Sequence, residues 1–558
     1  MPAFTTVFYE IAALLAVAAA LGALAIRLRQ PLIVAFLAAG ILVGPAGFAW
    51  VTASDQIDLL AQMGIALLLF VVGLKLDLHI IRSLGPVALA TGLGQVLFTS
   101  IIGYLIVIAL GYPPLSALYV AVALTFSSTI IIVKLLSDKK EIDALHGRIA
   151  VGFLIVQDIV VVLVMIGLTA LGAGTLAAPG DLGLTMLAVL LKGVLLLALV
   201  VLMMRYVIPR LTHHLARSVE LLALFAIAWA VSLAALGDAL GFSKEVGAFL
   251  AGVSLASTPY REAISARLVG LRDFLLLFFF IDLGARLEME SLGNELGAAV
   301  VLSLFVLLGN PLIVMIIMGL MGYRKRTGFL AGLTVAQISE FSLILTALGM
   351  SLGHLDSSAM GLVTLVGLIT ISGSTYMILY SHPLYDRLAP WLGIFERRHP
   401  HREDGGDPAA GQGLDIVVLG LGRYGRGLAW TLRQRGYRVL GVDFDPETVR
   451  ALRREGYAVH YGDAEDPEFL ATLPLQGVPW VVSTVRERQA NLALLQGLQQ
   501  HGYGGAVAVT AHHAADAEQL RRAGARLVLL PFADAAEEAA DLLQGDLPAP
   551  TAATEPGA

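Results

Sequence analysis

Apolar runs of about twenty residues, the length that crosses roughly 30 Å of hydrocarbon, recur from Phe4 to about Tyr380. Hydrocarbon offers no partner to an exposed peptide group, so runs of this kind are confined to helices whose backbone bonds close within the segment. With 57% of its 558 residues hydrophobic and 14% charged, against roughly 25% charged in ordinary soluble domains, the chain reads as a polytopic, all-α membrane protein over most of its length. The first run, about Phe4 to Ile26, lacks a basic leader and carries Glu10, which reads as a retained helix and not a signal peptide. A net charge of −6 gives no reason to expect nucleic acid, and a chain without cysteine has neither disulfides nor thiolate metal sites.

The pattern changes after the last apolar run. Residues 1–385 read as the membrane domain and 386–413 as a linker that includes the polar, Gly/Pro-rich stretch "IFERRHPHREDGGDPAAGQG" (Ile394–Gly413). Over 414–543 short β-like runs alternate with amphipathic helical patterns, the signature of a soluble α/β domain, and 544–558 reads as a disordered tail. Hydropathy gives about thirteen spans, starting near Phe4, Pro31, Leu59, Pro86, Leu115, Ala150, Leu184, Val219, Glu245, Phe274, Ala298, Phe329 and Met360. One set of alternate loops holds roughly seventeen Lys and Arg and the other about two, Lys244 and Arg286. The basic set is expected inside, which puts the N-terminus outside and the α/β domain in the cytoplasm.

The membrane domain repeats itself. "AFLAAGILVGP" in span 2 is echoed by "AFLAGVSLAS" in span 9, and "LLLFVVGLKLDL" in span 3 by "LFFFIDLGARLEM" in span 10. Gly73, Lys75 and Asp77 thereby match Gly284, Arg286 and Glu288. An offset of seven spans is odd, so the copies lie in the membrane with opposite orientation, the arrangement of secondary transporters with substrate sites at broken helices near mid-membrane. The same offset pairs span 5, "ALTFSSTIIIVKLL" with Thr125, Ser127, Ser128 and Thr129, with span 12, "LTVAQISEFSLIL" with Gln337, Ser339 and Glu340. Both are expected to be interrupted, which membrane-depth backbone tolerates only inside protein or beside a water-filled cavity.

Span 6 contains "FLIVQDIVVVLVMI", with Gln157 and Asp158 amid apolar residues. Asp158 lies about ten residues into the span, about 15 Å at 1.5 Å per residue, which is the midplane. An ionised Asp there costs about 2.5–3.5 kcal/mol on insertion scales, and no basic residue sits at comparable depth; Lys192 is near enough to the end of span 7 to snorkel. A carboxylate in low dielectric takes a proton readily, or a small cation in its place. Oxygens from Gln157, Ser127, Thr129 and backbone carbonyls are the expected further ligands. Competition of proton and cation for one group couples their movements, with one cation per proton the simplest stoichiometry. Glu340 reads either as a second titrating group or as an anchor of the span 12 break, and Asp282 as a polar cavity lining.

The Gln-Asp pair of span 6, "QISEF" in span 12 and the "FF…G" run of span 10 resemble the monovalent cation:proton antiporter-2 family, and most nearly its Kef-type potassium/proton systems. The resemblance covers nearly the whole chain. It implies a sodium/proton-antiporter-like fold of thirteen helices with crossed, broken helices, a homodimer, elevator-like movement and K+ as the cation bound at Asp158, with Na+ as the alternative. It leaves an accessory subunit open. A nucleotide-gated potassium channel is a weaker reading, because no "TVGYG"-like filter occurs.

In the soluble domain, "DIVVLGLGRYGRGLAWTLRQRG" places Gly420-x-Gly422-x-x-Gly425 between a strand and a helix, with Arg423 and Tyr424 inside the turn. Asp443 ends the next strand, spaced to grip a ribose hydroxyl while phosphates sit at the helix N-terminus. Asp463 and Ala464 follow a third strand, within reach of an adenine ring. No catalytic domain follows, so the pattern points away from a dehydrogenase and from an enzyme altogether. The domain resembles the RCK/KTN (TrkA-N) regulatory module, which implies an adenine nucleotide, AMP or NAD(H), as regulator. The loop between spans 9 and 10, "TPYREAISARLVGLRD", is more basic than acidic, and His512 and His513 stand where Kef sequences tend to carry arginine, so glutathione control is not expected.

Overall fold

The computed structural model describes the chain outside residues 1–6, 46, 49, 51–53, 76–84, 140, 143, 176–181, 217, 287–288, 398–412, 465–466, 471, 512 and 545–558. It contains two units. One holds the helical region through Trp391, and the other the chain from Leu392 on together with 143–145 and 319–327.

The helical unit opens with α1 (Val7–Arg27), α2 (Leu32–Val43), α3 (Ser54–Lys75) and α4 (Gly85–Ala109). Two half-helices follow, α5 (Pro114–Ala123) and α6 (Thr129–Asp138), then α7 (Leu145–Thr175). Next come α8 (Leu182–Leu202), α9 (Ile208–Leu215), α10 (Val219–Ala239), α11 (Lys244–Ala256) and α12 (Arg261–Ala285). The last elements are α13 (Met289–Leu304), α14 (Asn310–Leu320), the half-helices α15 (Lys325–Leu333) and α16 (Glu340–Ser351), α17 (Ser357–Leu379) and α18 (Ser381–Leu392).

Among the described residues eight helices are long and apolar enough to span a membrane. The other five expected spans are the short α2 and α11, the charge-bearing α12 and the two broken pairs α5/α6 and α15/α16. α8 passes into α9, and α13 into α14, through π turns at Met203–Val207 and Phe305–Gly309. Pro209 and Pro311 follow these turns directly; proline has no amide to give, and the widened turn absorbs the mismatch.

The repeat read in the sequence is built into the packing through glycine. α12 packs on α2 and α3 on α11. A Cβ on Gly40 would stand 2.8 Å from the Gly284 Cα and against the Ile281 carbonyl, and one on Gly73 would stand 3.2 Å from the Gly252 Cα. A Cβ on Gly252 would meet the Phe70 carbonyl, as Gly40 meets Ile281. The matched glycines of the two copies thus make matched helix crossings, the close approach that small residues permit between membrane helices. The matched acids Asp77 and Glu288 lie outside the described residues. Gly252→Val should overpack its crossing by about 1–3 kcal/mol, seen as a lower melting temperature in detergent than the wild-type protein shows.

The second unit carries β1 (Ile416–Leu419), α19 (Arg423–Gln434), β2 (Val439–Asp443), α20 (Pro446–Arg454), β3 (Ala458–Tyr461) and α21 (Pro467–Leu470). It continues with β4 (Trp480–Ser483), α22 (Arg488–Gln500), β5 (Ala506–Thr510), α23 (Ala514–Arg522), β6 (Leu527–Leu529) and α24 (Pro531–Gln544). All strands are parallel, in the order β3-β2-β1-β4-β5-β6, the doubly wound arrangement whose switch point lies between β1 and β4.

The linker expected from 386 begins later than the composition suggested. α18 runs to Leu392 and a 3₁₀ turn covers Gly393–Phe395. Pro383 falls in the first turn of α18, where its missing amide costs nothing, and Pro390 lies close to its end. Residues 398–412, and the expected tail from 545, are outside the described residues.

Candidate functional site

Both broken spans restart on a serine cap. Ser128 begins α6 by accepting the Ile131 N–H at 3.3 Å. Ser339 begins α16 by accepting the Phe341 N–H at 3.2 Å, while Ser342 Oγ accepts the Ser339 N–H at 3.2 Å. Caps satisfy the first amides of each second half-helix, but the preceding half-helices end on carbonyls with no helical partner.

A chain of buried amides and hydroxyls meets those ends. Asn310 Nδ2 donates to the carbonyls of Leu124 and Val335, one from each break, at 3.3 Å each. Its Oδ1 accepts from Thr99 Oγ1 at 2.9 Å, Thr99 accepts from Gln95 Nε2 at 3.1 Å, and Gln95 Nε2 also reaches the Thr125 carbonyl at 3.2 Å. Gln157 Nε2 donates to Gln95 Oε1 at 2.7 Å, and Gln157 Oε1 accepts the Ser127 N–H at 3.0 Å. Ser127 Oγ donates to the Val335 carbonyl at 3.4 Å, and Ser342 Oγ to the Ala123 carbonyl at 2.5 Å. The two breaks are therefore joined to each other and to α4, α7 and α14.

Asp158 stands one residue beyond this chain. Thr129 Oγ1, on the first residue of α6, donates to Asp158 Oδ2 at 2.9 Å. Asp158 and Thr129 are half-buried, whereas Thr125, Ser127, Ser128, Gln157, Gln337, Ser339 and Glu340 are all buried. Glu340 is the first residue of α16, where a carboxylate meets the positive end of the helix dipole; it accepts from Ser339 Oγ at 3.3 Å and acts electrostatically on Asp158. Gln337 Oε1 accepts from Ser374 Oγ at 2.8 Å, and its buried Nε2 has no partner among the described residues.

The expected ion ligands thus divide. Asp158 and Thr129 share the accessible surface. Gln157, expected as a ligand, spends both ends of its amide inside the protein, its oxygen on the first break and its nitrogen on Gln95 of α4, and Thr125 Oγ1 turns back to the Val122 carbonyl at 2.7 Å. Asp282 lines a cleft of about 590 Å³ with Asp58, Gln62, Lys244 and Arg286, pairing with Arg286 at 2.7 Å.

In the α/β unit Gly420 takes a φ of +83°, which only glycine adopts freely, and Thr484 Oγ1, from across the switch point, donates to its carbonyl at 2.6 Å. A Cβ on Gly425 would meet the Gly420 carbonyl, so the turn and α19 are in backbone contact. Gly422 is the N-cap of α19 and a Cβ there would meet nothing within 4 Å, which leaves room for a phosphate at the helix N-terminus. Asp443 Oδ2 accepts the Leu421 N–H at 2.5 Å, so the acid at the end of β2 is held against the glycine turn. Arg423 and Tyr424 are exposed on the first turn of α19, Asp463 is buried just past β3, and Ala464 is half-buried.

Residues 13–379 match the family described as sodium/hydrogen exchanger, transmembrane. The chain belongs to that family. Residues 416–531 of the exchanger match the TrkA-N domain. It is 29% identical over 90% of its length to the putative K(+) efflux antiporter KefB of Alkalimonas amylolytica, covering 76% of that protein. It is 31% identical over 66% of its length to the iron transporter MagA of Paramagnetospirillum magneticum, covering 84% of that one. Among solved structures it is similar to the sodium proton antiporter MjNhaP1 of Methanocaldococcus jannaschii, with a TM-score of 0.47 and 17% identity over 71% of this chain and 98% of that one.

The residues of the exchanger's site that the sequence reading passed over are Gln95, Thr99, Asn310, Ser342, Ser374 and Thr370, whose Oγ1 accepts the Ile338 N–H at 3.3 Å. A signal existed for two of them. Gln95 in "TGLGQVLFTS" and Asn310 in "LLGNPLIV" are amides inside apolar runs, and the span offset that pairs 5 with 12 also pairs 4 with 11.

Proposed function

We propose that this exchanger carries K+ against H+, one for one, at Asp158, under regulation by an adenine nucleotide bound at the Gly420–Gly425 turn. The observation that carries the reading is the state of Asp158, a half-buried carboxylate that accepts a hydrogen bond from the neutral hydroxyl of Thr129. Its charge must be balanced by something that arrives and leaves. Thr129 and the capped start of α6 favour the ionised form for a bound cation, and a proton neutralises the group when the cation departs. The amide chain behind it is neutral, so with Asp158 as the one exchanging group and Glu340 holding the same charge throughout, a one-for-one cycle is electroneutral. K+ in preference to Na+ is supported by the name of the Alkalimonas relative. The basic loops support an outside N-terminus, a cytoplasmic α/β domain and a bacterial cytoplasmic membrane; a homodimeric carrier, not an enzyme, accords with the resemblance.

The test is proton movement in proteoliposomes driven by a series of K+, Na+, Rb+ and Li+, with Fe2+ added because of the iron-named relative, each with and without AMP or NAD(H). K+ is expected to drive the largest flux and a nucleotide to change it. A protein that moves no protons with any alkali cation would overturn the reading, and flux with Fe2+ alone would replace it. Asp443→Asn should weaken nucleotide binding by about tenfold or more, the worth of a charged hydrogen bond, measured by calorimetry, with basal exchange retained.

A further inference from the structure

The first and the last long span of the helical unit are fastened to each other at one end. α1 stops at Arg27, and the chain turns towards α2 through Leu28, Arg29 and Gln30. Tyr376 of α17 donates its hydroxyl to the Leu28 carbonyl at 3.0 Å, and Gln30 Nε2 donates to the Ser372 carbonyl at 3.4 Å. The turn itself closes through the Arg29 N–H on the Ile26 carbonyl at 3.0 Å and the Gln30 N–H on the Ala25 carbonyl at 2.8 Å. In this helix ending the residue past the cap is left-handed, and glycine fits it best. Arg29 occupies that place with a φ of +56°, the one non-glycine residue at positive φ among the described residues.

Around this seam the exposed side chains are of two kinds. Leu24, Arg27 and Leu28 stand three and four positions apart, so they share one face of α1, and all three are exposed. Tyr376 and Tyr380, the C-cap of α17, are likewise four apart and exposed. Leu24 and Leu28 leave half of their surface uncovered, and Arg29 is exposed next to Leu28. The patch is therefore apolar with two guanidinium groups at its edge, neither of which makes an ion pair among the described residues. Water is a poor neighbour for the leucines and hydrocarbon a poor one for the arginines. The headgroup layer suits both, because tyrosine settles there with its ring in apolar surroundings and arginine reaches it by extending its stem.

Charge complementarity says what covers the patch. Two unpaired guanidinium groups call for an anion, and their planar forks match phosphate oxygens two at a time. An anion that also lies against leucine and tyrosine is one that carries acyl chains. We propose that Arg27 and Arg29 bind the phosphate of an anionic phospholipid whose chains lie along Leu24, Leu28 and the Tyr376 ring, so that one lipid molecule covers the seam between α1 and α17. The left-handed arginine then has a use: glycine would close the turn with less strain and would offer the phosphate no partner. None of the groups that hold the ion takes part, so the lipid site stands apart from the exchange reading.

The test follows the melting temperature of the full-length protein in neutral detergent as phosphatidylglycerol, phosphatidylcholine or inorganic phosphate is added. Phosphatidylglycerol is expected to raise it and the other two to leave it nearly unchanged. A basic residue beside an anionic lipid contributes about fivefold in affinity. The phosphatidylglycerol concentration for half the effect should therefore rise about fivefold in Arg29→Gly and about twenty-five-fold when Arg27→Gln is added. Glycine suits the turn and Arg27 is exposed, so both variants keep the fold. Equal effects of the two lipids would leave an apolar contact without a phosphate site, and an equal effect of inorganic phosphate an ion site without a lipid. Melting that follows protein concentration and ignores lipid would put a second copy of the chain on this face. Each of these overturns the proposal, as does a half-effect concentration that the substitutions leave unchanged.

Discussion

Asp158→Asn abolishes K+-driven proton movement, down to the level of protein-free liposomes, while the protein still inserts, melts near the wild-type temperature and binds nucleotide. The amide keeps the shape of the carboxylate, and its oxygen still accepts the Thr129 hydroxyl that lies 2.9 Å from Asp158 in the native site. What it loses is ionisation. Without a charge there is nothing for a cation to balance and no proton to exchange, so the two fluxes have no common group. The wild-type protein gives the complementary result. When proton and cation compete for one carboxylate, the K+ concentration for half-maximal flux rises about tenfold per pH unit on the acid side of the group's titration. Normal exchange by the Asn variant, or a half-saturation that ignores pH, would place the coupling group elsewhere.

How much of this was legible in the sequence follows from the reach of each interaction. Asp158 stood out because a lone carboxylate in an apolar run violates a local rule, and the two breaks because clustered hydroxyls interrupt helical apolarity at mirrored places. The glycine turn was legible for the same reason: Gly420, Gly422, Gly425 and Asp443 act on backbone within one strand-turn-helix-strand unit. Asn310 was not legible. Its partners Leu124 and Thr99 lie 186 and 211 positions away, and a single amide beside proline reads as a helix irregularity until both carbonyls are seen. Gln157 was assigned its neighbour's role because adjacency in sequence says nothing of helix face. It points at Ser127 and Gln95, and Asp158 at Thr129.

Asn310→Leu should be the most damaging substitution that leaves every charge in place. Leucine keeps the branched shape of asparagine and is the larger side chain, so no cavity opens, yet the carbonyls of Leu124 and Val335 lose their shared donor and Thr99 its acceptor. Each polar group left buried and unpaired costs about 1–3 kcal/mol; the Leu124 carbonyl, at the end of the first half of one broken span, loses its donor, while the Val335 carbonyl keeps only the longer bond from Ser127 Oγ. The crossing can relieve this only by letting the breaks move apart, which carries Thr129 away from Asp158. A displacement of about 1 Å at a reacting centre costs up to about a hundredfold in rate, so exchange is expected to fall between about tenfold and a hundredfold, with a lower melting temperature in detergent. Asn310→Asp keeps the acceptor for Thr99 but turns an oxygen towards both carbonyls; it should be at least as poor an exchanger, improving towards acid where the new group takes a proton and can donate again. Wild-type flux and melting in the leucine variant would mean that the crossing is held by packing and by the Ser127 and Ser342 bonds, and that the amide chain from Asn310 to Gln157 is an accompaniment to the site and not its frame.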